Sequence, residues 1–527
     1  MPPLTSLVVS LRMVLALVLL IAAAPVLPER FLGTATTAGA PPFPVHAELE
    51  IRGEEIGGVF TTPEGSYRLE GRLAGGQATG RISAAALEGR FTLVIEGDRA
   101  SGTFSLGPAS GTLDLRRTEK GAQEAFAPPA QRLDLSKEEW EQDFAELLRI
   151  LTKEHGAPFH RVSEAAFRRA ADTVRQRIPH WGGPRIAAEF RRLSMMVGDG
   201  HTGVALPAGR PRFPLRLFWF EDGVRVIAAM PEHEDLLGAA VTAVNGVPVE
   251  RVLTRLRPFS PLGESEWSYR GDLPTLLIRA DLLAAAGVIS GEEVAWTFRL
   301  PNRRSRRVVL RTGAFPQAGR VLLGGAPPLW ERRPEEPLWF RDWPGSATLY
   351  ANFRSYEDLA LHAAALGAAL DERRPARLII DMRGNGGGDY QLGRALLIPQ
   401  ITSRPWINHP DRLFVLVGRN TFSAAMANAA DFGSMTEGTL VGEPVGENPN
   451  SWQEPRHFYL PRSGLRVAVS TRYYSFAPAG ADAIVPDIHA PPHWQDWVLG
   501  LDSGVAAVWT EVLRRRARTS VPDHRSR

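Results

Sequence analysis

Cysteine is absent from this chain of 527 residues, and lysine is nearly absent. Without cysteine there are no disulfides, no thiolate metal sites and no cysteine nucleophile, so packing alone must hold the fold. The only lysines are Lys120, Lys137 and Lys153, so almost every cation is an arginine. The 61 basic and 58 acidic residues nearly balance, which leaves no basic field and no case for nucleic acid binding.

Metal-binding signatures are absent from the sequence as well. No His-Glu-x-x-His pattern occurs, and the 12 histidines are scattered along the chain. A zinc site needs histidines, cysteines or carboxylates at characteristic spacings. We therefore predict neither a metal nor a cofactor.

The amino end carries Arg12 and then an apolar run at 13–28. This run is shorter than the stretch of about 20 residues that a membrane span needs, and it matches the core of a signal peptide. Small residues that suit a cleavage site follow at 22–24 and at 38–40. We assign residues 1–40 to a signal peptide or a retained anchor. The protein is then expected to be exported, periplasmic or extracellular, and to meet a membrane only through this segment.

The segment at 44–117 alternates apolar and polar positions in short runs that glycine separates. Such period-two alternation is typical of a small antiparallel meander or sandwich. We interpret this segment as an accessory β domain. Residues 118–134, rich in Ala, Pro and Gln, are predicted to be a linker.

Helical signals begin at residue 135, where Ser136 and Glu139 have the spacing of a capping box. Further helices are expected at 163–178 and 184–197. We predict a helical domain at 135–205 that presents the loop Gly-Asp-Gly-His-Thr at 198–202. The apolar positions of its first helix are Trp140, Phe144, Leu147, Leu148 and Leu151.

Strand-like patterns return at 206–320, where a tight Asn245-Gly246 turn joins two apolar runs. This β insertion resembles a PDZ-type module, and a purely structural insertion is the alternative. Strands and helices alternate at 321–510, which predicts an α/β core with parallel strands, and a basic tail follows at 511–527. The expected fold class is multidomain α+β.

Three segments carry residue types that suit acyl transfer. A buried strand leads into the glycines at 386–388, whose unobstructed N–H groups could stabilise an oxyanion. Ser423 begins a helix of small residues, where the helix dipole favours negative charge. His201 lies on a tight glycine-flanked turn. Each has an ordinary alternative: a strand-to-helix turn, a helix N-cap and a surface histidine.

Together and in this order, these segments resemble the C-terminal processing (tail-specific) serine peptidases and their tricorn-core relatives. The resemblance spans residues 135–505 and implies a crotonase-like or Clp-like spiral for the catalytic core. The segment before residue 118 lies outside it. The shared blocks are Asp-Gly-His-Thr at 199–202, Asp-x-Arg with its glycine turn at 381–388, Thr-Phe-Ser-Ala-Ala at 421–425, Gly-Glu-Pro at 442–444 and Pro-Asp-Ile at 486–488.

The resemblance implies that Ser423 is the nucleophile. It also implies an oxyanion hole made by the backbone N–H of Ala424 and that of Gly387 or its neighbour Gly386. Many relatives have an acid after Ser-Ala-Ala, whereas this chain has Met426. We expect that difference to affect substrate contacts and not the nucleophile.

The base is expected to be His201. One branch of the family uses a lysine, but the matching position here is Asn448, and no lysine follows Lys153. Arginine cannot replace it because guanidinium does not lose its proton in proteins. The tricorn-like branch uses the histidine of the Asp-Gly-His loop, which corresponds to His201.

A third group should orient the histidine. The relatives place a carboxylate shortly before Pro-Asp-Ile, where this chain offers Asp482. Asp199, Glu443 and Asp487 are competing candidates.

The resemblance implies a metal-independent serine peptidase whose partners are polypeptide substrates. One alternative is a non-catalytic protein that binds apolar ligands, as interphotoreceptor retinoid-binding proteins do on a similar scaffold. Another is an esterase or amidase of small molecules, because acyl transfer needs the same groups.

Overall fold

The computed structural model describes residues 28–37, 42–62, 65–84, 87–107, 109–313 and 319–519. The chain divides into two compact units, Met1–Pro128 and Pro129–Arg527. Within the described ranges, no helix is both long enough and apolar enough to cross a membrane. Most of the predicted signal segment, residues 1–27, lies outside the described residues.

The first unit is an eight-stranded antiparallel barrel followed by one short helix, α1 (Ala122–Ala125). Each strand pairs with the next, and β1 also pairs with β8, which closes the sheet. Alternate side chains point inward and fill the interior with apolar residues. The strands are β1 (Glu29–Thr37), β2 (Phe43–Arg52), β3 (Glu55–Thr62), β4 (Gly65–Ala74), β5 (Gln77–Ala84), β6 (Leu87–Glu96), β7 (Arg99–Leu106) and β8 (Ala109–Arg117).

The expected meander is confirmed, but the boundary at residue 44 is wrong. The strand Glu29–Thr37 precedes it and completes the barrel. The sequence does not reveal this strand, because the small residues at 38–40 that follow it resemble a cleavage site. Glycine allows the closest strand contacts: a Cβ on Gly71 would lie 2.4 Å from the carbonyl oxygen of Thr79.

The second unit begins with the predicted helical layer, α2 (Lys137–Lys153), α3 (Glu164–Arg177) and α4 (Gly183–Met195). The capping box of α2 is confirmed, since Ser136 Oγ accepts the N–H of Glu139 and the Glu139 carboxylate accepts that of Ser136. The apolar face of these helices packs into one core with Val204, Val467 and Val469, which belong to a three-stranded sheet. Helix α4 ends directly before the histidine loop.

The insertion holds a seven-stranded sheet and three helices. Asn245 and Gly246 form the predicted tight turn, both with positive φ (50° and 77°). Strands alone do not make up the insertion, because three helices lie between β13 and β14, and the first of them, Val249–Leu256, has apolar residues at helical spacing. The elements are β10 (Leu215–Phe220), β11 (Gly223–Ala229), β12 (Ala240–Val244), β13 (Val247–Pro248), α5 (Val249–Leu256), α6 (Glu266–Leu277), α7 (Ala280–Ala285), β14 (Glu293–Arg299), β15 (Ser305–Arg311) and β16 (Val321–Leu322).

The α/β core is built on a six-stranded sheet in the order β17-β18-β19-β20-β21-β24. Only the edge strand β17 is antiparallel, so the prediction of parallel strands is confirmed. The sheet strands are β17 (Leu338–Asp342), β18 (Thr348–Phe353), β19 (Arg377–Asp381), β20 (Leu413–Val417), β21 (Thr439–Gly442) and β24 (Ile488–His489). The helices are α8 (Leu359–Arg373), α9 (Tyr390–Leu392), α10 (Ile398–Thr402), α11 (Ala424–Met435), α12 (Trp494–Val498) and α13 (Ser503–Thr519).

A separate three-stranded sheet crosses the predicted domain boundaries. It pairs β22 (Trp452–Tyr459) with β23 (Arg466–Tyr473), and β23 with the short β9 (Gly203–Val204) that follows the histidine loop. The helical domain and the core therefore share a sheet. Two further predicted boundaries differ from the structure. Strand β16 begins after residue 320 but pairs with β11 of the insertion, and α13 continues across residue 511 into the predicted basic tail as far as Thr519.

Candidate active site

Three loops of the second unit converge on Ser423. The serine lies between β20 and α11, the histidine loop follows α4, and a third loop follows β21. His201 Nε2 lies 2.9 Å from Ser423 Oγ, within hydrogen-bonding distance. The two residues that the sequence singled out from distant segments therefore meet in one site.

Ser423 has an unusual backbone conformation, with φ of 58° and ψ of −125°. A residue other than glycine with positive φ carries strain of about 1–3 kcal/mol, and such strain concentrates at functional sites. The residue before the serine is fixed by a hydrogen bond, because Phe422 N–H donates to the carbonyl oxygen of Asn385 (3.1 Å). Small buried residues of α11 let that helix begin tightly against the sheet. The strand, turn and helix thus present the serine hydroxyl at the helix start.

The His201 side chain is only 7% exposed, and its ring stacks on Phe422 with centroids 4.8 Å apart. Burial lowers the pKa of His201 to about 4, although the Asp199 carboxylate opposes this shift. The imidazole is therefore neutral at neutral pH, the form that can accept a proton from serine.

Asp199 holds the histidine loop and does not orient the imidazole ring. Its carboxylate accepts the backbone N–H of His201 (3.1 Å), the hydroxyl of Ser470 (2.6 Å) and Nε2–H of His155 (2.9 Å). Burial works to raise the pKa of Asp199, but the hydrogen bonds from His155 and Ser470 outweigh it and keep this pKa below its usual range. Asp199 is thus an anion close to His201.

Glu447 is the carboxylate beside the imidazole, and the sequence did not reveal it. Its Oε1 lies 3.3 Å from His201 Nδ1, although the two groups are not aligned as a hydrogen bond. The other oxygen accepts the backbone N–H of Ser423, and Oε1 also accepts from Gln453 Nε2 (3.1 Å). Burial, and then the nearby Glu264 carboxylate, raise the pKa of Glu447 well above its usual value.

Asp482 does not contact His201, so the prediction that Asp482 is the third group is wrong. It is exposed, and among the described residues it has no hydrogen bond or ion pair with the imidazole. Asn450 binds the Asp482 loop, because the Asn450 side chain donates to the carbonyl oxygen of Pro478 (3.0 Å). The distance in sequence from Asp482 to Pro-Asp-Ile at 486–488 could not predict where this loop lies, because a loop has no periodicity.

The remaining candidates have structural partners. Glu443 forms a buried ion pair with Arg419 (Nε to Oε2, 2.8 Å), and Asp487 accepts the backbone N–H of Leu440 (2.8 Å). Glu443 and Glu447 occupy the same glycine-rich loop, and no local pattern distinguishes them in the sequence.

Of the three residues predicted for the oxyanion hole, Ala424 and Gly387 adjoin Ser423. Ala424 is the first residue of α11, so its N–H has no partner within the helix. A Cβ on Gly387 would lie 2.6 Å from Ser423 Cβ, so the glycine turn touches the serine. Yet Gly387 N–H already donates to Asn385 Oδ1 (2.9 Å). Gly386 is exposed, and a Cβ there would meet no atom within 4 Å.

An open cleft of about 460 Å³ lies beside His201. Its lining combines apolar and charged side chains, among them Arg191, Pro261, Asp272, Phe422, Arg466 and Ala468. Within the part of the chain that the structure describes, no three His, Asp or Glu side chains cluster so that they could hold a metal ion.

No known family model matches the sequence, and no curated protein matches it. Mature CPAF is a similar solved structure, with a TM-score of 0.49 and 14% identity over 72% of this chain and 98% of that one. The photosystem II D1 C-terminal processing protease aligns with a TM-score of 0.33 and 17% identity over 69% and 98% of the two chains. Tricorn protease aligns with a TM-score of 0.33 and 10% identity over 92% and 59%. The second and third of these structures are proteases by name, and each of the three TM-scores is below 0.5.

Proposed function

We propose that the chain is a serine peptidase that hydrolyses polypeptides through an acyl-enzyme on Ser423, with His201 as general base. The observation that carries this proposal is the 2.9 Å approach of His201 Nε2 to Ser423 Oγ. The strained serine and the neutral imidazole support it. A serine that only caps a helix needs neither feature.

The chemistry follows from this pair. Ser423 Oγ attacks the substrate carbonyl carbon while its proton moves to His201 Nε2. The ring's own proton is then on Nδ1, which faces Glu447, and the imidazolium is stabilised by the Asp199 anion nearby. The backbone N–H of Ala424 is the donor that we assign to the oxyanion. The tetrahedral intermediate collapses, the amine leaves with the proton from His201, and water repeats the sequence on the acyl-enzyme.

Polypeptide substrates are favoured by the open cleft beside His201, since an extended chain can enter it from solvent. An esterase or amidase of small molecules is the second candidate, because its chemistry is identical. A protein that merely binds apolar ligands would not need the serine and histidine to meet. We further propose that the insertion is a PDZ-like module, that the core has the crotonase-like or Clp-like form, and that the protein is exported.

The test is labelling of the purified protein with a fluorophosphonate, followed by mapping of the modified residue. Modification at Ser423, and its loss in Ser423→Ala, are the expected results. Cleavage of an unfolded protein but not of small esters would support the peptidase over the esterase. Absence of labelling under conditions in which the protein is folded would refute the nucleophile.

A further inference from the structure

Glu264 contacts two of the three active-site loops, although it belongs to the insertion. It directly precedes Ser265, the N-cap of α6, and is only 7% exposed. Its Oε1 accepts the backbone N–H of Gly200 (2.7 Å), and its Oε2 accepts that of Asn448 (2.7 Å). Gly200 precedes His201 and Asn448 follows Glu447, so one carboxylate joins the histidine loop to the Glu447 loop.

The surrounding residues fit this bridge closely. A Cβ on Gly200 would lie 3.2 Å from Glu264 Oε1 and 2.9 Å from Phe422 Cζ, so a side chain there would push the bridge apart. Ser265 adds a second link, because its hydroxyl donates to the carbonyl oxygen of Gly446 (2.7 Å). The loop that precedes α6 is therefore built against both active-site loops.

We propose that Glu264 is a positioning residue, whose carboxylate fixes the distance between the two loops and so keeps His201 within reach of Ser423. This inference rests on the proposed hydrolase function. Glu264 does not itself touch the reacting atoms. Its effect passes through the backbone of Gly200 and Asn448, and misplacing a base by about 1 Å can cost roughly 10²-fold in rate.

The bridge should depend on the protonation of Glu264. Burial raises the pKa of Glu264 to about 7. The Asp199 carboxylate also acts to raise this pKa, whereas the N–H groups of Asn448 and Gly200 and the charge of Arg161 act to lower it. Glu447 also faces this carboxyl and shares its titration. An ionised carboxylate accepts from two N–H groups better than the acid, in which one oxygen carries the proton. Alignment of His201 should therefore improve as pH rises through about 7.

The experiment compares Glu264→Gln with Glu264→Asp and with a matched control, Glu266→Gln. Glu266 is exposed, two residues along the same segment, and pairs only at the surface with Arg257 (2.9 Å). Hydrogen exchange is measured for peptides that contain Gly200 and Asn448. In parallel, the rate of fluorophosphonate labelling of Ser423 is measured from pH 5.5 to 9.

In Glu264→Gln, one backbone N–H faces an amide NH₂ in place of an oxygen. Exchange should rise in both loops and not elsewhere, labelling should slow by roughly ten- to hundredfold, and the step near pH 7 should vanish. Glu264→Asp should retain the step at a lower rate, and the control should match wild type. If Glu264→Gln does not fold, exchange in wild-type protein still decides, because protection of both loops should increase through pH 7.

Two results would overturn the inference: exchange in Glu264→Gln equal to that of the control, or faster exchange with an unchanged labelling rate. If wild-type protein is not labelled at Ser423, the proposed function fails, and exchange alone then tests the bridge. The two failures are thus distinguishable.

Discussion

Gly387→Ala, compared with its neighbour Gly386→Ala, tests whether the glycine turn is part of the active site. A Cβ at Gly387 would lie 2.6 Å from Ser423 Cβ and 3.1 Å from Ser423 Oγ, and φ there is 108°. Ordinary carbon contacts are near 3.5–4.0 Å, so the serine or the turn must move by about 1 Å. A Cβ at Gly386 meets no atom within 4 Å, and its φ is not positive.

The expected cost has two parts. The backbone strain of alanine at positive φ should lower the free energy of unfolding by about 1–3 kcal/mol. The displaced serine should lose roughly 10²-fold in kcat/KM. Gly386→Ala should show neither effect, because it adds the same methyl group to open space.

Thermal unfolding and the fluorophosphonate labelling rate measure the two parts separately. Both substitutions keep every backbone N–H, so a difference between them reports geometry and not the loss of a hydrogen-bond donor. If Gly387→Ala labels as fast as Gly386→Ala, the turn does not constrain Ser423 and the arrangement described above is wrong.

The remaining predictions concern the base, the third group and the amino end. Phe422→Ala uncovers His201 and should raise its pKa from about 4 towards the ordinary value near 6.5. Neutral imidazole is the active form in the proposed mechanism, so the ratio of variant to wild-type kcat/KM should fall roughly tenfold from pH 8 to pH 5.5. A flat ratio would show that burial by Phe422 does not set the pKa of His201. Glu447→Ala should lower kcat by at least about 10²-fold, Glu447→Gln should lower it less, and Asp482→Ala should not change it. Equal losses in Glu447→Ala and Asp482→Ala in steady-state assays would favour Asp482 as the third group. Since Glu29–Thr37 closes the barrel, amino-terminal sequencing of exported protein should place cleavage near residues 22–24, and a start beyond residue 37 would refute this.

Local patterns predicted several elements of the fold. The capping box of α2, the helix start at Ser423 and the Asn245-Gly246 turn each depend on residues a few positions apart. Such signals act through the backbone nearby, so the sequence displays them directly. The sequence does not predict the helices at 249–285, because strand-like segments flank them and Glu266–Leu277 has almost no helical apolar periodicity, although Val249–Leu256 has it strongly.

The sequence by itself identified the candidate pair Ser423 and His201, because the ordered motifs that contain them resemble those of the C-terminal processing peptidases and no lysine follows Lys153. Tertiary structure alone decided that Glu447, and not Asp482, faces His201, and that Glu264 bridges two loops. The physical reason is that these carboxylates lie in loops without periodicity. Their roles depend on burial and on backbone donors from distant segments, and both exist only once the chain has folded.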